Sequence, residues 1–215
     1  SGKTIAFGLP MVEFLRRNRL LGSRRVQCIV LAPTRELAIQ VTKEIQKLRH
    51  YETEFKVVTV YGGVSIDEQT RALRNGVDIF VGTTGRVLDH IERGNIDFTD
   101  MKTMILDEAD QMLDLGFMPA IRKIISKVPA KRQTALLSAT MPKPIRALAN
   151  DFLSNPVEVA VETVAKPIEL IDQSVILVDR SSKRRILTET LSSNDVERAI
   201  VFTRTKRGAD KVQRF

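Results

Sequence analysis

Two carboxylates, Asp107 and Glu108, stand directly after a short apolar segment. That segment, 104–106, has the composition of a strand buried in a parallel sheet, so both side chains would lie at the carboxyl end of a core strand. Open α/β sheets bind their ligands at that edge. One carboxylate there can hold Mg²⁺ through water, and the second can orient or deprotonate an attacking water. A structural alternative is that both acids cap a helix at 109–115.

The chain opens with Ser1, Gly2, Lys3 and Thr4, the last four residues of a Walker A loop. In such a loop, backbone N–H groups surround the phosphates, the lysine reaches the β and γ phosphates, and the threonine hydroxyl coordinates Mg²⁺. The glycine lets the backbone approach the anion closely. The motif is short enough to occur by chance, but combined with the acidic pair it predicts nucleotide hydrolysis.

Ser138 and Thr140 follow a second apolar segment, 134–137. Their hydroxyl groups could bond to Asp110 and so sense the state of the acidic site. Taken alone, residues 138–140 are explained more simply as a capping cluster before a helix that starts at 142.

Three other loops each follow an apolar strand and carry small, hydroxyl or basic residues. Backbone N–H groups and arginine side chains at such strand ends can hold phosphates, and glycines permit close approach of a ligand. Together the loops suggest a track for a sugar-phosphate backbone, although each alone also fits an ordinary cap or turn. The residues are Thr34, Arg35, Gly62, Gly63, Thr83, Gly85 and Arg86.

Charge and composition bear on the partner. The net charge is +8 and the isoelectric point about 9.8, with the positive charge concentrated in 1–50 and 180–215. This distribution fits either a polyanion partner or solvated helix faces. Aromatic residues make up 5% of the chain and Trp is absent, so base stacking is not expected to dominate binding. If nucleic acid binds, contacts to its backbone with little sequence preference are expected.

Apolar segments alternate with segments of helical spacing, which is typical of a doubly wound α/β fold with a mostly parallel sheet. Helical spacing covers 4–17, where Pro10 predicts a break or kink. The predicted strands are 26–32, 56–61, 77–83, 102–106, 133–138, 157–161, 173–178 and 199–203. The other predicted helices are 34–50, 66–75, 85–93, 109–115, 118–127, 142–153, 181–193 and 205–215.

The ordered set of motifs resembles that of the DEAD-box ATP-dependent RNA helicases, and the resemblance covers essentially all 215 residues. The segments 107–117 and 201–210 look most like the bacterial RhlE-type branch. The matching motifs are SGKT at 1–4, PTRELA at 33–38, GG at 62–63, TTGR at 83–86, DEAD at 107–110 and SAT at 138–140.

The resemblance implies a first RecA-like P-loop NTPase domain at 1–160 that lacks its N-terminal start. It further implies a linker at 161–170 and the incomplete start of a second RecA-like, helicase C-terminal domain at 171–215. The implied activity is ATP hydrolysis coupled to local unwinding or remodelling of RNA, with ATP and Mg²⁺ as cofactors.

Roles for individual residues follow from the same resemblance. Gly2, Lys3 and Thr4 would bind ATP, and Thr4 and Asp107 would hold Mg²⁺, partly through water. Glu108 would activate water, so that Glu108, Asp107 and Lys3 form the catalytic set. The residues implied to couple hydrolysis to strand separation are Asp110, Ser138 and Thr140. Those implied to contact RNA are the seven of the three loops together with Phe202 and Thr205.

The chain departs from the family pattern at Thr84, where the family usually has proline, and a looser loop is expected there. By the same resemblance, the adenine-reading segment, the front of the Walker A loop with its strand, and the arginine finger fall outside 1–215. We therefore expect the 215-residue chain to hydrolyse ATP barely or not at all. Loss of a central strand would also reduce its stability.

Two other functions stay open. The chain could be a non-enzymatic module that binds an RNA backbone weakly, or a P-loop ATPase that acts on protein or DNA. The single cysteine, Cys28, sits in an apolar segment and suits a reducing, cytoplasmic setting. No segment has the length and hydrophobicity of a membrane span, and no membrane partner is expected. Protein partners and oligomeric state are not indicated.

Overall fold

The computed structural model describes residues 2–18, 25–49, 55–160, 172, 174–179, 181–193 and 196–214. The chain divides into two compact units, one ending at Glu158 and the other beginning at Val159.

The first unit is built on a five-stranded parallel sheet with the strand order β2-β3-β1-β4-β5. Valine, isoleucine and leucine fill the central strand, whose residues are all buried, as expected when helices cover both faces. All five strands were predicted from the sequence, and each is shorter than predicted by one to two residues at one or both ends. The strands are β1 (Cys28–Ala32), β2 (Val57–Val60), β3 (Ile79–Thr83), β4 (Thr103–Leu106) and β5 (Gln133–Leu136).

In the described part of this unit, seven helices cover the two faces of the sheet. Successive residues of β1 alternate between the faces: Cys28 and Val30 pack with α1 and α2, whereas Ile29 and Leu31 pack with residues of the later helices. The helices are α1 (Gly2–Asn18), α2 (Arg35–Lys47), α3 (Ile66–Arg74), α4 (Thr84–Glu92), α5 (Ala109–Asp114), α6 (Met118–Ile125) and α7 (Lys143–Phe152).

The helix α1 begins at Gly2, two residues before the predicted start, and runs through Pro10 without a break. A proline removes the hydrogen bond to the carbonyl four residues earlier, which here belongs to the exposed Ala6. Water can satisfy that carbonyl, while Phe7 and Met11 on either side of the proline are anchored in the core. Packing therefore keeps the helix continuous.

Within its described residues, the second unit contains two helices, α8 (Lys183–Leu191) and α9 (Lys206–Gln213), where helices were predicted. The predicted strands 173–178 and 199–203 are wrong, because 174–178 and 199–203 have no strand structure; residue 173 lies outside the described residues. Leu177 and Phe202 are 93% and 90% exposed. A strand needs a neighbour to pair its N–H and C=O groups, and these segments pair with no strand in the described part of the chain.

The predicted strand 157–161 is also wrong for residues 157–160, and residue 161 lies outside the described residues. Val157 and Val159 are exposed, so their apolar side chains do not contribute to the core. The proposed linker 161–170 falls entirely outside the described residues. Across the described ranges, none of the helices combines the length and hydrophobicity needed to span a bilayer.

Candidate functional site

All five strands of the first unit are parallel, so the loops after them meet at one edge of the sheet. The strand order places the loops in sequence along this edge. The loops after β2, β3 and β1, which hold the candidate phosphate-track residues, occupy one half. The loops after β4 and β5, which hold the acidic residues and hydroxyl groups, occupy the other half. We call this edge the carboxyl edge.

Asp107 lies directly after β4 and is 3% exposed. Its backbone N–H donates to the carbonyl of Leu31 in β1 at 3.0 Å, which fixes the residue at the end of the two central strands. Burial of the carboxyl raises its pKa, the neighbouring charge of Glu108 raises it further, and Lys3 acts in the opposite direction. The site therefore disfavours an isolated negative charge and suits a bound cation.

Glu108 adopts a left-handed backbone conformation, with φ 50° and ψ 55°. This conformation is strained for a residue with a side chain and is common at functional sites. It turns the chain sharply so that α5 starts at Ala109, immediately after the strand. Glu108 occupies the N-cap position but makes no side-chain capping hydrogen bond, so its carboxylate does not serve the helix as a cap.

Asp110, Ser138 and Thr140 come together as the sequence suggested. The N–H and the hydroxyl of Thr140 both donate to Asp110 Oδ2 at 2.9 Å. The Asp110 N–H donates to Ser138 Oγ at 3.2 Å, and that hydroxyl donates to the Thr140 carbonyl at 2.7 Å. Burial alone would raise the pKa of Asp110, but the bonds from Thr140 and Ser138 outweigh it and hold the pKa below its usual value. The helix after β4 and the loop after β5 are thus joined.

Gly2, Lys3 and Thr4 form the first turn of α1. Gly2 and Lys3 are exposed, whereas Thr4 is 2% exposed. The pKa of Asp107 is raised overall by burial, and the positive charge of Lys3 acts against that rise, so the two side chains act on each other electrostatically. The opening lysine and the acidic pair therefore belong to the same part of the molecule.

The donor set fits Mg²⁺ bound together with a phosphate ligand. Among the described residues, no group of three or more His, Cys, Asp or Glu side chains could hold a metal by itself. Mg²⁺ is usually held by one or two carboxylates, with substrate phosphates and water completing its shell. Asp107 supplies a buried carboxylate, and a bound cation would bring its raised pKa back down. Thr4 supplies a buried hydroxyl.

Thr34 lies after β1 and is the N-cap of α2, with its hydroxyl oxygen accepting a hydrogen bond from the Leu37 N–H at 3.3 Å. The predicted capping role is confirmed. Arg35 is exposed, and its guanidinium lies 4.6 Å from the centre of the Tyr61 ring. This cation–π contact links the loop after β1 to the loop after β2.

Gly62 and Gly63 follow β2 and are exposed. Gly63 has a φ of +83°, a backbone conformation that glycine adopts readily because it has no Cβ. A Cβ at either position would meet no atom within 4 Å, so open space lies beside both residues. A ligand backbone could approach them.

Thr83 precedes α4 as its N-cap, and Gly85 in the first turn is exposed with open space beside it. Thr84 is fully buried, and its hydroxyl donates to the sulfur of Met112 in α5 at 3.5 Å. The start of α4 is therefore anchored at Thr84, and a looser backbone than a proline would give stays a prediction.

Arg86 points into the protein, with its side chain 13% exposed. Nη1 and Nη2 each donate to the Val64 carbonyl at 3.1 Å, and Nη1 also donates to Gln69 Oε1 at 3.1 Å. Its guanidinium thus supports the neighbouring loop, and its predicted contact with RNA stays a prediction.

Sequence reasoning missed Tyr61 and Gln69, because neither belongs to a motif with a recognised chemical role.

Phe202 and Thr205 belong to the second unit. Phe202 is 90% exposed, and Thr205 is the N-cap of α9, accepting a hydrogen bond from the Gly208 N–H at 3.0 Å. Their predicted contacts with RNA stay predictions.

Comparison with known proteins identifies the family. A family model described as DEAD/DEAH box helicase matches residues 1–148. The ATP-dependent RNA helicase CshA of Listeria monocytogenes is 44% identical over 214 residues, which span 100% of this chain and 40% of that protein. The ATP-dependent RNA helicase DeaD of Haemophilus influenzae is 41% identical over 208 residues, 97% of this chain and 33% of that protein. The chain thus spans well under half the length of these relatives.

A solved structure agrees with this assignment. The crystal structure of a DEAD box protein from the hyperthermophile Methanococcus jannaschii matches with a TM-score of 0.70 and 35% identity, covering 100% of this chain and 56% of that one. The parallel sheet and its flanking helices are therefore a RecA-like α/β fold. Since the family model matches more than half of its residues, the chain belongs to the DEAD/DEAH box helicase family.

Proposed function

We propose that the protein is an ATP-dependent RNA helicase that couples ATP hydrolysis to local unwinding or remodelling of RNA. The observation that carries this proposal is the division of the carboxyl edge, with an acidic, hydroxyl-rich half beside a half suited to a phosphate backbone. Two similar proteins, CshA and DeaD, are named ATP-dependent RNA helicases, which supports the proposal. Because the chain spans 40% of the Listeria relative, the proposed activity is that of the whole protein.

In the proposed site, Gly2 and Lys3 bind the ATP phosphates, and Thr4 and Asp107 hold Mg²⁺, partly through water. The metal would neutralise charge on the phosphates when bound. Glu108 accepts the proton of the attacking water, a role supported by a carboxylate that makes no capping bond. Asp110, Ser138 and Thr140 couple hydrolysis to strand separation, a role supported by the hydrogen bonds that join α5 to the loop after β5.

RNA is proposed to lie along the other half, with backbone contacts from Thr34, Arg35 and the glycines after β2. Thr83, Gly85 and Arg86 extend this surface, and Phe202 and Thr205 would add contacts from the second unit. Contacts of this kind bind with little sequence preference and weaken with salt.

We further propose a first RecA-like domain at 1–160, a linker at 161–170 and the start of a second RecA-like domain at 171–215. A place in the RhlE-type branch is proposed from segments 107–117 and 201–210, whereas the relatives named above are called CshA and DeaD.

A cytoplasmic location is proposed because Cys28, the single cysteine of the sequence, is free and buried.

RNA-stimulated release of phosphate from ATP by the whole protein tests the enzymatic proposal. Glu108→Gln is expected to lower turnover by at least about 100-fold, because it removes the general base. The exposed Glu92→Gln serves as a matched control and is expected to keep the parent rate. Equal rates for parent and Glu108→Gln would contradict the assignment. RNA binding without any turnover in the parent would instead favour the non-enzymatic module.

A further inference from the structure

A hydrogen-bonded group under the loop after β2 is not explained by any motif. At its centre is Gln69 of α3, which is 7% exposed. Its Nε2 donates to the Tyr61 carbonyl at 3.0 Å. Its Oε1 lies 3.1 Å from Arg86 Nη1, which donates to it, and 3.2 Å from His90 Nε2.

The hydrogen bonds around His90 determine which atom is the donor in its contact with Gln69. The Thr70 hydroxyl donates to the Ile66 carbonyl at 2.9 Å, so its oxygen accepts from Asn95 Nδ2 at 3.2 Å. The same Asn95 amide then faces His90 Nδ1 at 3.2 Å as a donor. His90 Nδ1 must therefore be the acceptor, and Nε2 carries the hydrogen that it donates to Gln69.

The result is a turn held at both ends. Gln69 binds the carbonyl of Tyr61, and Arg86 binds the carbonyl of Val64. Between these two points lie Gly62 and Gly63, where a Cβ would meet no atom within 4 Å. Neither glycine has a side chain to anchor it, so the contacts at Tyr61 and Val64 set the position of the turn.

We propose that Gln69 is a positioning residue that holds the Gly62–Gly63 turn in the conformation that receives a sugar-phosphate backbone. It does so by bridging the end of β2 to Arg86 and His90 of α4. This inference rests on the proposed binding of RNA at the carboxyl edge. The proposal also assigns Arg86 a role, support of the turn, that its mostly buried guanidinium can fulfil.

Three variants of the full chain test the proposal. Gln69→Leu keeps the approximate volume and removes every hydrogen bond of the side chain. Gln69→Glu keeps an acceptor for Arg86 and His90 but places an oxygen that repels the Tyr61 carbonyl where the donor was, so it breaks the contact to the turn alone. Thr42→Val is the matched control: Thr42 is also 7% exposed, and its hydroxyl bonds to that of Thr59 in β2 at 2.7 Å rather than to the turn.

Two measurements are made on each variant: the amide NMR signals of Gly62 and Gly63 in the free protein, and the affinity for single-stranded RNA as a function of salt. Gln69→Leu is expected to shift both glycine signals and to weaken RNA binding roughly fivefold, as for one lost hydrogen bond. Its slope of log affinity against log salt is expected to stay at the parent value, because the substitution removes no contact between a lysine or arginine and a phosphate. Gln69→Glu should change the glycine signals and the RNA affinity in the same direction, because it also loses the bond to the Tyr61 carbonyl. Thr42→Val should lower thermal stability and change neither.

Unchanged glycine signals and unchanged RNA affinity in both Gln69 variants would overturn the inference. Loss of RNA affinity in Thr42→Val to the same extent would also overturn it, since general destabilisation would then be sufficient. If the parent showed no salt-dependent RNA binding, the proposed function itself would fail. The parent measurement therefore separates that failure from a failure of the Gln69 inference.

Discussion

Thr140 and Asp110 are 30 positions apart in the chain and meet through two hydrogen bonds of 2.9 Å to one carboxylate oxygen. One donor is the backbone N–H of Thr140 and the other is its hydroxyl. The contact ties the first turn of α5, which follows the acidic pair, to the loop after β5. We propose that a change at the acidic pair reaches that loop through this contact.

Replacing Thr140 by valine removes one of these two bonds and keeps the backbone one. We expect the free energy of unfolding to fall by about 1 kcal/mol, as for one hydrogen bond at a partly exposed site. We also expect RNA unwinding to fall more than RNA-stimulated ATP hydrolysis, since the contact is proposed to couple them. Denaturant titration and parallel assays of the two activities measure these effects.

Thr99→Val is the matched control for that variant. The N–H and hydroxyl of Thr99 both donate to Asp97 Oδ1, at 2.8 and 2.6 Å, so the local geometry is similar. It should lose comparable stability while the ratio of unwinding to hydrolysis stays at the parent value. A changed ratio in the control, or a parental ratio in Thr140→Val, would count against the coupling role.

Asp107→Asn is expected to stabilise the protein at neutral pH in the absence of nucleotide. Burial and the charge of Glu108 raise the pKa of Asp107, so folding disfavours its ionised form, and a neutral amide removes that cost. The gain should shrink as the pH falls and the parent carboxyl becomes protonated. Thermal melting with and without Mg²⁺ and ATP measures this, and the variant should lose stabilisation by the nucleotide.

The exposed Asp67→Asn, in the first turn of α3, is the control for Asp107→Asn. It removes favourable interactions with the helix dipole and with the positive charge of Arg93, so it should not raise the melting temperature. A melting temperature of Asp107→Asn at or below the parent value would show that the buried carboxylate carries no cost.

Much of the first unit follows from local sequence patterns. Apolar runs flanked by turn residues predicted all five strands, and the cap at Thr34 was predicted from its position before a helical segment. The meeting of Asp110 with Thr140 was also anticipated, because parallel strands bring their carboxyl ends to one edge. The strands and the cap depend on local conformational preference, and the contact between Asp110 and Thr140 depends on the rule that parallel strands end at one edge of the sheet.

The contacts that sequence patterns missed are set by tertiary structure. Arg86 looks like a free basic side chain in the sequence, yet a carbonyl 22 positions away binds it. The segments 174–178 and 199–203 have strand composition, but strand formation also requires a partner. Pro10 should interrupt a helix by local rules, and core packing on both sides of it keeps α1 continuous.

Gly82→Ala is expected to destabilise the first unit. Gly82 lies in β3, and an added Cβ would approach Val87 Cγ2 to 2.5 Å and Val60 Cγ2 to 2.7 Å. Overpacking of this kind costs about 1–3 kcal/mol. Gly85→Ala is the informative partner, because its Cβ would meet nothing within 4 Å. Denaturant titration should show a loss only for Gly82→Ala, and equal losses would contradict the packing argument.

The stability of the protein is expected to fall between about pH 7 and pH 5 in part through His90. Burial of the ring and the nearby charge of Arg86 lower its pKa from an ordinary value of 6.5, and Arg93 lowers it further while Asp89 acts to raise it. The unfolded chain then binds protons more readily than the folded chain, so the free energy of unfolding decreases as the pH falls through this window. His90→Gln should be less stable than the parent at about pH 8 but should depend less on pH. A parental pH dependence in that variant would be inconsistent with a buried neutral His90.

The central claim is that Lys3 and Asp107 act on one metal-bound triphosphate. A double-mutant cycle with Lys3→Gln and Asp107→Asn, measured as the affinity for Mg²⁺-ATP by calorimetry, tests it most directly. We predict that the two losses are not additive and that their coupling energy exceeds about 0.5 kcal/mol, because both side chains serve the same ligand. Losses that add within about 0.3 kcal/mol, as expected for independent sites, would contradict the shared site.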